Sequence, residues 1–591
     1  MCGIVGQINL NKPIEKSLFM KMSETLHHRG PDDHGYYFNN TATIALGHRR
    51  LSFLDLSEMG KQPMSDNNQC IRLILNGEIY NFRELKKRLG NDYNFKTQTD
   101  TEVLIAAYIK WGIDCVSYLK GMFAFALFDE SEHKLYLVRD RFGIKPLYYS
   151  LSDSNLLFAS ELKALMASGL IPKQIDYSSF ADYFVYRYVP SPKTIWKNVE
   201  KLPPAHYAEI NTETLDIQLT EYWKLLSSDD KADELKLIEE TGAILQESVM
   251  QHIRADVPIG SFLSGGYDSS AMVYYMTALG QKPDTFSIGF NEWENSEHKF
   301  ARVVADHLGV NNDCLIADKS SLDLVKLMPE VYDEPIADIS IIPTYMVSQL
   351  ARKKVKAVLS GEGADEIFGG YWWQQEFFSN RSSATFFEKI KNVLQPDNTV
   401  LFYANAMAMG GFDSHELKQL LHPDLHSYIS KDVNWFYKQH YNKNLSPLKS
   451  IQYMDIKCFM GELVLTKIDR ASMANSLEVR VPFLDHHLFE KIFSVDEKQY
   501  VKANQTKYLL YENLKNHLPN EILSRKKQGF VGPDLYYMDI EWYKRELENS
   551  KLVEHNIINR SYLDALLKES YNWKLWKILI MEKWFERWIC E

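Results

Sequence analysis

The residue best suited to chemistry is the second one. Cys2 follows Met1 and precedes Gly3, and trimming of the methionine would leave a thiol and a free α-amine on one residue. Their reference pKa values, about 8.5 and about 8, let the amine take the thiol proton at neutral pH without a histidine. Met-Cys-Gly is weak on its own; three downstream segments give it weight. Gly47-His48-Arg49-Arg50-Leu51-Ser52 offers Arg50 for bidentate capture of a carboxylate. Asn76-Gly77-Glu78-Ile79-Tyr80-Asn81 sets an amide beside a glycine NH, the donors an oxyanion needs. Thr99-Asp100-Thr101-Glu102 puts a carboxylate at the start of a helical pattern. Plainer readings exist: Asn76-Gly77 as a hairpin turn, Arg50 as a surface pair, Asp100 as a helix cap.

A second set lies further on. Ser264-Gly265-Gly266-Tyr267-Asp268-Ser269-Ser270 sits between an apolar strand and a helical run, so consecutive NH groups and a helix N-terminus can converge on phosphate oxygens. It lacks the lysine of a GxxxxGK[ST] loop, which favours a pyrophosphate cradle with Asp268 as a metal ligand over γ-phosphoryl transfer. Ser360-Gly361-Glu362-Gly363-Ala364-Asp365-Glu366 follows another apolar strand and gathers three acids beside permissive glycines. Alone, each stretch reads as an ordinary turn. Together, at two strand ends of one alternating domain, they suggest a shared Mg²⁺–ATP site with Asp268 and Asp365 as ligands.

The elements that must carry these residues fall into two patterns. The first two hundred residues read as strands and turns, with apolar runs at 71–75, 124–128 and 135–138 and a helical interval over Asp100–Trp111, which predicts an α+β domain of packed antiparallel sheets. Proline-rich steps at 189–192 and 202–204 and a polar stretch at 211–233 place the first domain at 1–208, a linker at 209–234 and a second domain at 235–591. There, strands at 258–263, 285–290 and 357–359 alternate with helices from Ser270 and near 298–308, the pattern of an α/β doubly wound parallel sheet. The remainder reads as helical. Trp573, Trp576, Ile580, Trp584 and Trp588 recur at near-helical spacing, as the buried face of a helix does.

Composition bounds the rest. At 591 residues the chain exceeds the roughly 250–300 at which one core stops growing. A formal net charge of −11 argues against nucleic acid and acidic membrane surfaces. No signal peptide and no window of about 20 apolar residues is present, so a cytoplasmic location is expected. Six dispersed cysteines without a CxxC pair read as free thiols. The histidines, among them His27, His28 and His48, show no ligand spacing, and none is assigned a metal.

From Cys2 to about Pro204, with Arg29-Gly30-Pro31-Asp32 and Arg139-Asp140-Arg141-Phe142-Gly143-Ile144-Lys145-Pro146-Leu147-Tyr148 included, the chain resembles the glutaminase domain of the class II amidotransferases, which are N-terminal-nucleophile hydrolases. The resemblance implies that Cys2 attacks the glutamine side-chain amide and that Asn76 and the Gly77 NH form the oxyanion hole. It also implies that Arg50 binds the α-carboxylate and Asp100, helped by Glu78, the α-amine.

The two acidic and glycine-rich loops, with Thr285–Phe290, residues 471–474 and Glu478-Val479-Arg480-Val481-Pro482-Phe483-Leu484-Asp485, are similar to the synthetase domain of the glutamine-hydrolysing asparagine synthetase family, an ATP-pyrophosphatase fold, over roughly 235–535. That implies ATP-driven adenylation of a carboxylate with release of pyrophosphate, then displacement of AMP by ammonia. Phe262, Ser264, Gly265, Gly266, Asp268, Ser269, Ser270, Ile288, Ser360 and Gly361 would hold ATP, and Glu362 would lie near the reacting centre. Lys467 or Arg470 would serve the adenylate, with the choice open. The run Arg525-Lys526-Lys527-Gln528-Gly529-Phe530 reads either as a loop near phosphates or as a solvated basic turn. Aspartate is the implied acceptor; a sugar uronic acid would use the same chemistry. The resemblance also implies an ammonia tunnel and admits a homodimer. Tyr267 stands where the family has Ile or Leu, Val531-Gly532-Pro533 replaces a Gly-Val-Pro step, and 333–340 offers no arginine for the α-carboxylate of aspartate.

Overall fold

The computed structural model describes residues 2–591 apart from 292, 383–396, 503–504, 526–527, 531 and 570; Lys526, Lys527 and Val531 therefore lie outside the described residues.

Two six-stranded antiparallel sheets form the first unit. The strand Gly3–Asn9 runs between Ile44–Arg50 and Asn155–Ala159, with Gly3 opposite Arg49 and Val5 opposite Ala159. In the second sheet Ile71–Ile79 pairs with Gly121–Asp129, which pairs with Lys134–Arg139. The period-two alternation sends Ile4, Ile8, Ile44 and Leu46 from one sheet and Ile74, Ala124, Ala126 and Phe128 from the other into a common core. Ile74 is fully buried there; truncating it to alanine costs about 2–5 kcal/mol. Helices cover the outer faces: Phe82–Leu89 and Asp100–Trp111 pack Leu85, Leu89, Val103 and Ala107 on the second sheet, and Lys16–Glu24 packs Phe19 and Met22 on the first.

The second sheet reaches further than the sequence suggests. Strands His206–Asn211 and Ile217–Glu221 extend it, with Ala208 opposite Leu137 and Leu219 opposite Ala208, inside the stretch expected to begin a linker. The outer of the two is an edge strand whose side chains are half-buried to exposed, and the polar stretch around it hid it.

The second unit follows the helix Glu234–His252, whose start is fixed by the Asp233 carboxylate accepting from Lys236 N at 2.9 Å. Its parallel sheet runs, edge to edge, Asn312–Ala317, Thr285–Phe290, Ile259–Phe262, Ala357–Leu359, Glu478–Arg480. Strand order reverses between Ile259–Phe262 and Ala357–Leu359, so the loops leaving those two strands flank the crevice where such sheets bind ligands. The helix Tyr267–Ala278 starts three residues before the expected Ser270 because Gly266 serves as its N-cap. At the C-terminus, Trp573–Phe585 buries Trp576, Ile580 and Trp584. The Trp584 indole donates to Asp333 O at 2.7 Å and its ring lies 5.4 Å from Trp196 of the first unit. Among the described residues no helix is long and apolar enough to cross a membrane.

Candidate active site

Cys2 lies immediately before the central strand of the first sheet and is 7% exposed. Its backbone N donates to Asn76 Oδ1 at 3.2 Å, and its carbonyl accepts from Arg29 Nε at 3.0 Å. Burial pushes the Cys2 thiol up, opposed by Arg50 and by a hydrogen bond from Leu51. A thiol so placed needs a base beside it before it can attack.

Asn76 and Gly77 stand in mid-strand, opposite Ala124 and Phe123, so the hairpin reading fails. Asn76 is fully buried; with Oδ1 engaged by Cys2, its Nδ2 has no hydrogen-bond partner. A buried donor without a protein acceptor is costly unless a ligand supplies one. Gly77 has φ +150°, and a Cβ there would come within 2.1 Å of Met122 O, so only glycine lets the strands close up beside the nucleophile.

Arg50 is not a surface pair. It is 6% exposed, and the carbonyls of Leu54, Asp55 and Ser57 hold its guanidinium at 3.1, 2.7 and 3.1 Å. Asp100 is the first residue of its helix, but the cap is Thr99, whose hydroxyl accepts from Glu102 N at 3.2 Å. Asp100 Oδ2 instead accepts from Ile79 N at 2.9 Å, binding the helix to the strand that carries Asn76. Glu78 Oε1 faces Arg480 Nη2 of the second unit at 3.4 Å. Burial raises the carboxyl pKa of both Glu78 and Asp100. Glu478, buried too, is nevertheless held down at about 2 by surrounding positive charge that includes Arg480 and Lys145.

In the second unit Ser264 N donates to Ser269 Oγ at 3.1 Å and Gly266 N to Ser264 Oγ at 3.3 Å, closing the loop at the N-terminus of a twelve-residue helix. Gly265 has φ +78°, and a Cβ there would strike the backbone of Phe300 at 2.5 Å. Ser270 Oγ and Glu362 Oε2 are buried without hydrogen-bond partners, and burial raises the Glu362 carboxyl. Gly361 abuts the turn: a Cβ on it would lie 2.7 Å from Asp268 Cβ. Phe262 and Ile288 sit on the adjacent strands Ile259–Phe262 and Thr285–Phe290, and Ser360 follows Ala357–Leu359. Tyr267 does not point at this crevice for its polarity; its hydroxyl donates to Leu523 O.

Lys507, which the sequence did not single out, bridges the two expected metal ligands. Its Nζ lies 2.5 Å from Asp268 and 2.8 Å from Asp365. Those carboxylates raise its pKa against the opposing effect of burial. It lies 239 positions from Asp268, so no local pattern announces it.

The two basic candidates on the helix Leu465–Met473 separate. Lys467 Nζ donates to Ser340 Oγ at 2.7 Å and lies 3.4 Å from Asp338. Arg470 is enclosed at the junction of the units, 2.9 Å from Glu161 and 3.5 Å from Asp333. Glu161 also pairs with Arg29 at 2.6 Å, and Arg29 forks onto Asp469 at 2.9 and 3.2 Å. Arg525 pairs with Glu297 at 2.9 Å and stacks over Phe300 at 4.1 Å, next to the Gly265 turn.

Among the described residues, histidines gather with an acid at one place: ligand atoms of His486, His487 and Glu490 lie within 4.8 Å of one another. His487 and the Trp223 indole already engage Glu490, at 3.3 and 2.8 Å. Burial first, then the charges of Arg141, His487 and Lys120, push His486 down to about 2. His48 is buried, and its Nε2 donates to Leu75 O at 3.1 Å.

Comparison with known proteins agrees with this layout. Residues 1–223 match the family described as glutamine amidotransferase domain, and residues 240–586 the family described as asparagine synthase. Asparagine synthetase [glutamine-hydrolyzing] 1 of Bacillus subtilis (strain 168) is 35% identical, over 99% of this chain and 96% of its own. A putative asparagine synthetase [glutamine-hydrolyzing] of Mycobacterium bovis is 31% identical, over 96% and 93%. A second putative member, from Methanocaldococcus jannaschii, is 39% identical over 63% of this chain and 76% of its own. Fold and site together define an amidotransferase of the N-terminal-nucleophile type joined to an ATP-pyrophosphatase unit. The chain belongs to the family of glutamine-hydrolysing asparagine synthetases, a family that implies the use of ATP.

Proposed function

We propose that this chain makes asparagine from aspartate, glutamine and ATP. One observation carries the reading. Asp469 is forked by Arg29, which holds the Cys2 carbonyl, while Lys467, two residues earlier on the same helix, bonds Ser340 beside the second site. One helix thus touches both chemistries.

The α-amine of Cys2 accepts the thiol proton, and the sulfur attacks the glutamine amide carbon. Asn76 Nδ2 and the Gly77 NH stabilise the oxyanion. Arg50 takes the substrate carboxylate, and Asp100 with Glu78 takes its ammonium. Ammonia leaves, and water hydrolyses the thioester to release glutamate. In the second site Phe262 and Ile288 flank the nucleotide, while Ser264, Gly265, Gly266, Ser269, Ser270, Ser360 and Gly361 line its phosphates. Partnerless Ser270 Oγ and the glycine cradle fit a polyphosphate. The carboxylates Asp268 and Asp365, paired across Lys507, fit Mg²⁺, which when bound would neutralise phosphate charge. A side-chain oxygen of aspartate attacks the α-phosphorus and expels pyrophosphate. Ammonia then attacks the acyl carbon and expels AMP, with Glu362 near the reacting centre. Lys467, rather than the enclosed Arg470, faces the adenylate.

We place the unit boundary between Glu221 and Glu234, where the second sheet ends and the long helix begins. Six free cysteines suit a reducing cytoplasm. The test is pyrophosphate release with Mg²⁺–ATP and glutamine across a panel of carboxylates, with mass spectrometry of products. Asparagine and AMP from aspartate are expected; amidation of another acid alone would overturn the acceptor and keep the chemistry.

A further inference from the structure

Arg480 belongs to both sites. Its backbone ends the edge strand Glu478–Arg480 of the parallel sheet, and its carbonyl accepts from Ser360 N, the first residue of the acidic loop, at 2.9 Å. Its side chain is fully buried and runs toward the glutaminase pocket. Nη1 donates to the carbonyls of His252 and Arg254 at 2.6 and 3.1 Å, and Nε to Glu478 Oε1 at 2.6 Å. The guanidinium lies over Phe53 and Tyr80, 5.1 and 5.9 Å from their centroids. Nη2 alone has no hydrogen-bond partner, and it faces Glu78 Oε1 at 3.4 Å. A planar fork pinned on its other edges leaves one donor edge aimed at a carboxylate.

We propose that Arg480 reports glutamine occupancy to the Ser360–Glu366 loop, as a positioning residue linking the two sites. The inference rests on Glu78 as a ligand of the glutamine ammonium. That ammonium competes with Nη2 for the same carboxylate. Because Nη1 and Nε are held, the guanidinium cannot swing away, and the change is taken up along its own strand, whose carbonyl holds Ser360. The added positive charge also offsets the excess of carboxylates formed by Glu78, Glu478 and Asp100, which fixes the cluster more firmly. The loop at the end of that strand should then hold nucleotide better. Coupling of this kind is a difference in binding free energy between sites and acts in both directions.

The test uses the full chain with Cys2→Ala, in which glutamine binds without being cleaved. Calorimetry first establishes glutamine binding; no binding would sink the reading of the pocket itself. With binding established, ammonia-dependent pyrophosphate release is measured with and without saturating glutamine. The expected result is a KM for ATP lowered by about fivefold, the low end of typical coupling, with little change in kcat. Adding Arg480→Lys, which keeps the charge and loses the fork, should remove the glutamine effect, read as the ratio of the KM for ATP without and with glutamine falling to about one. A glutamine effect that survives Arg480→Lys, or no effect in Cys2→Ala despite binding, overturns the proposal. Should Arg480→Lys fail to fold, hydrogen exchange of Cys2→Ala decides: glutamine should increase protection at 357–366 and 478–480, and unchanged exchange there overturns it.

Discussion

In the pocket proposed for glutamine the assigned side chains stand on or beside strands; in the crevice proposed for nucleotide, Asp268 and Asp365 stand in the first turns of helices that follow strand-end loops. Asn76 is fully buried and Cys2 and Asp100 are 7% and 6% exposed, each fixed by groups distant in sequence. Asp268 and Asp365 keep 23% and 16% of their side-chain surface, and Lys507 answers their charge. Stabilising one developing oxyanion needs dipoles that do not move, whereas admitting a polyanion with its cation and releasing pyrophosphate needs loops on a rigid sheet. The Arg29–Asp469 fork and the Glu161–Arg470–Asp333 cluster lock these unlike sites together.

Mutations should break the two regions separately. The largest effect is expected from Asp268→Asn, which should abolish pyrophosphate release with glutamine or ammonia while glutamate release continues; loss of both would merge the sites. Asn76→Ala should do the reverse, lowering kcat for glutamine by about 10²–10³-fold and leaving ammonia-dependent pyrophosphate release intact. At the junction, Arg470→Met leaves Glu161 and Asp333 with Lys163 as their shared cation, and thermal unfolding should reveal a loss smaller than the about 3–5 kcal/mol of a buried charge left wholly unpaired. A further effect is in pH dependence. Burial pushes His48 of the first unit and His252 of the second down to about 3, against an unfolded value near 6.5. Both are depressed, so their contribution is complete above pH 6.5 and is lost as pH falls toward 3, by up to about 1.4 kcal/mol per pH unit for each histidine. His48→Gln and His252→Gln should each flatten the fall in melting temperature between pH 6.5 and 4; an unchanged slope would mean these rings are not kept neutral by burial.

Much of this was legible in the sequence where chemistry and local pattern coincide. The helix Asp100–Trp111 and the strand Thr285–Phe290 lie where periodicity puts them, and the glycine-serine loop declares itself by lying between a strand and a helix. What stayed hidden depends on distance in the chain. Lys507 meets Asp268 only after folding, and Arg480 looks like any strand arginine until its two directions are seen. The strand Ile217–Glu221 escaped notice because its alternation, Ile217 and Leu219 against Gln218 and Thr220, is only two periods long and lies in a polar stretch. Arg470 and Lys467 share one helix, and only packing tells which is enclosed.

The most direct test of the central claim, two active sites in one chain joined by ammonia, is the Cys2→Ala protein with Mg²⁺–ATP and aspartate, supplied in turn with glutamine and with ammonia. The account predicts asparagine, AMP and pyrophosphate from ammonia at close to the parent rate and none from glutamine. Loss of both activities in a folded protein, or persistence of both, would contradict it.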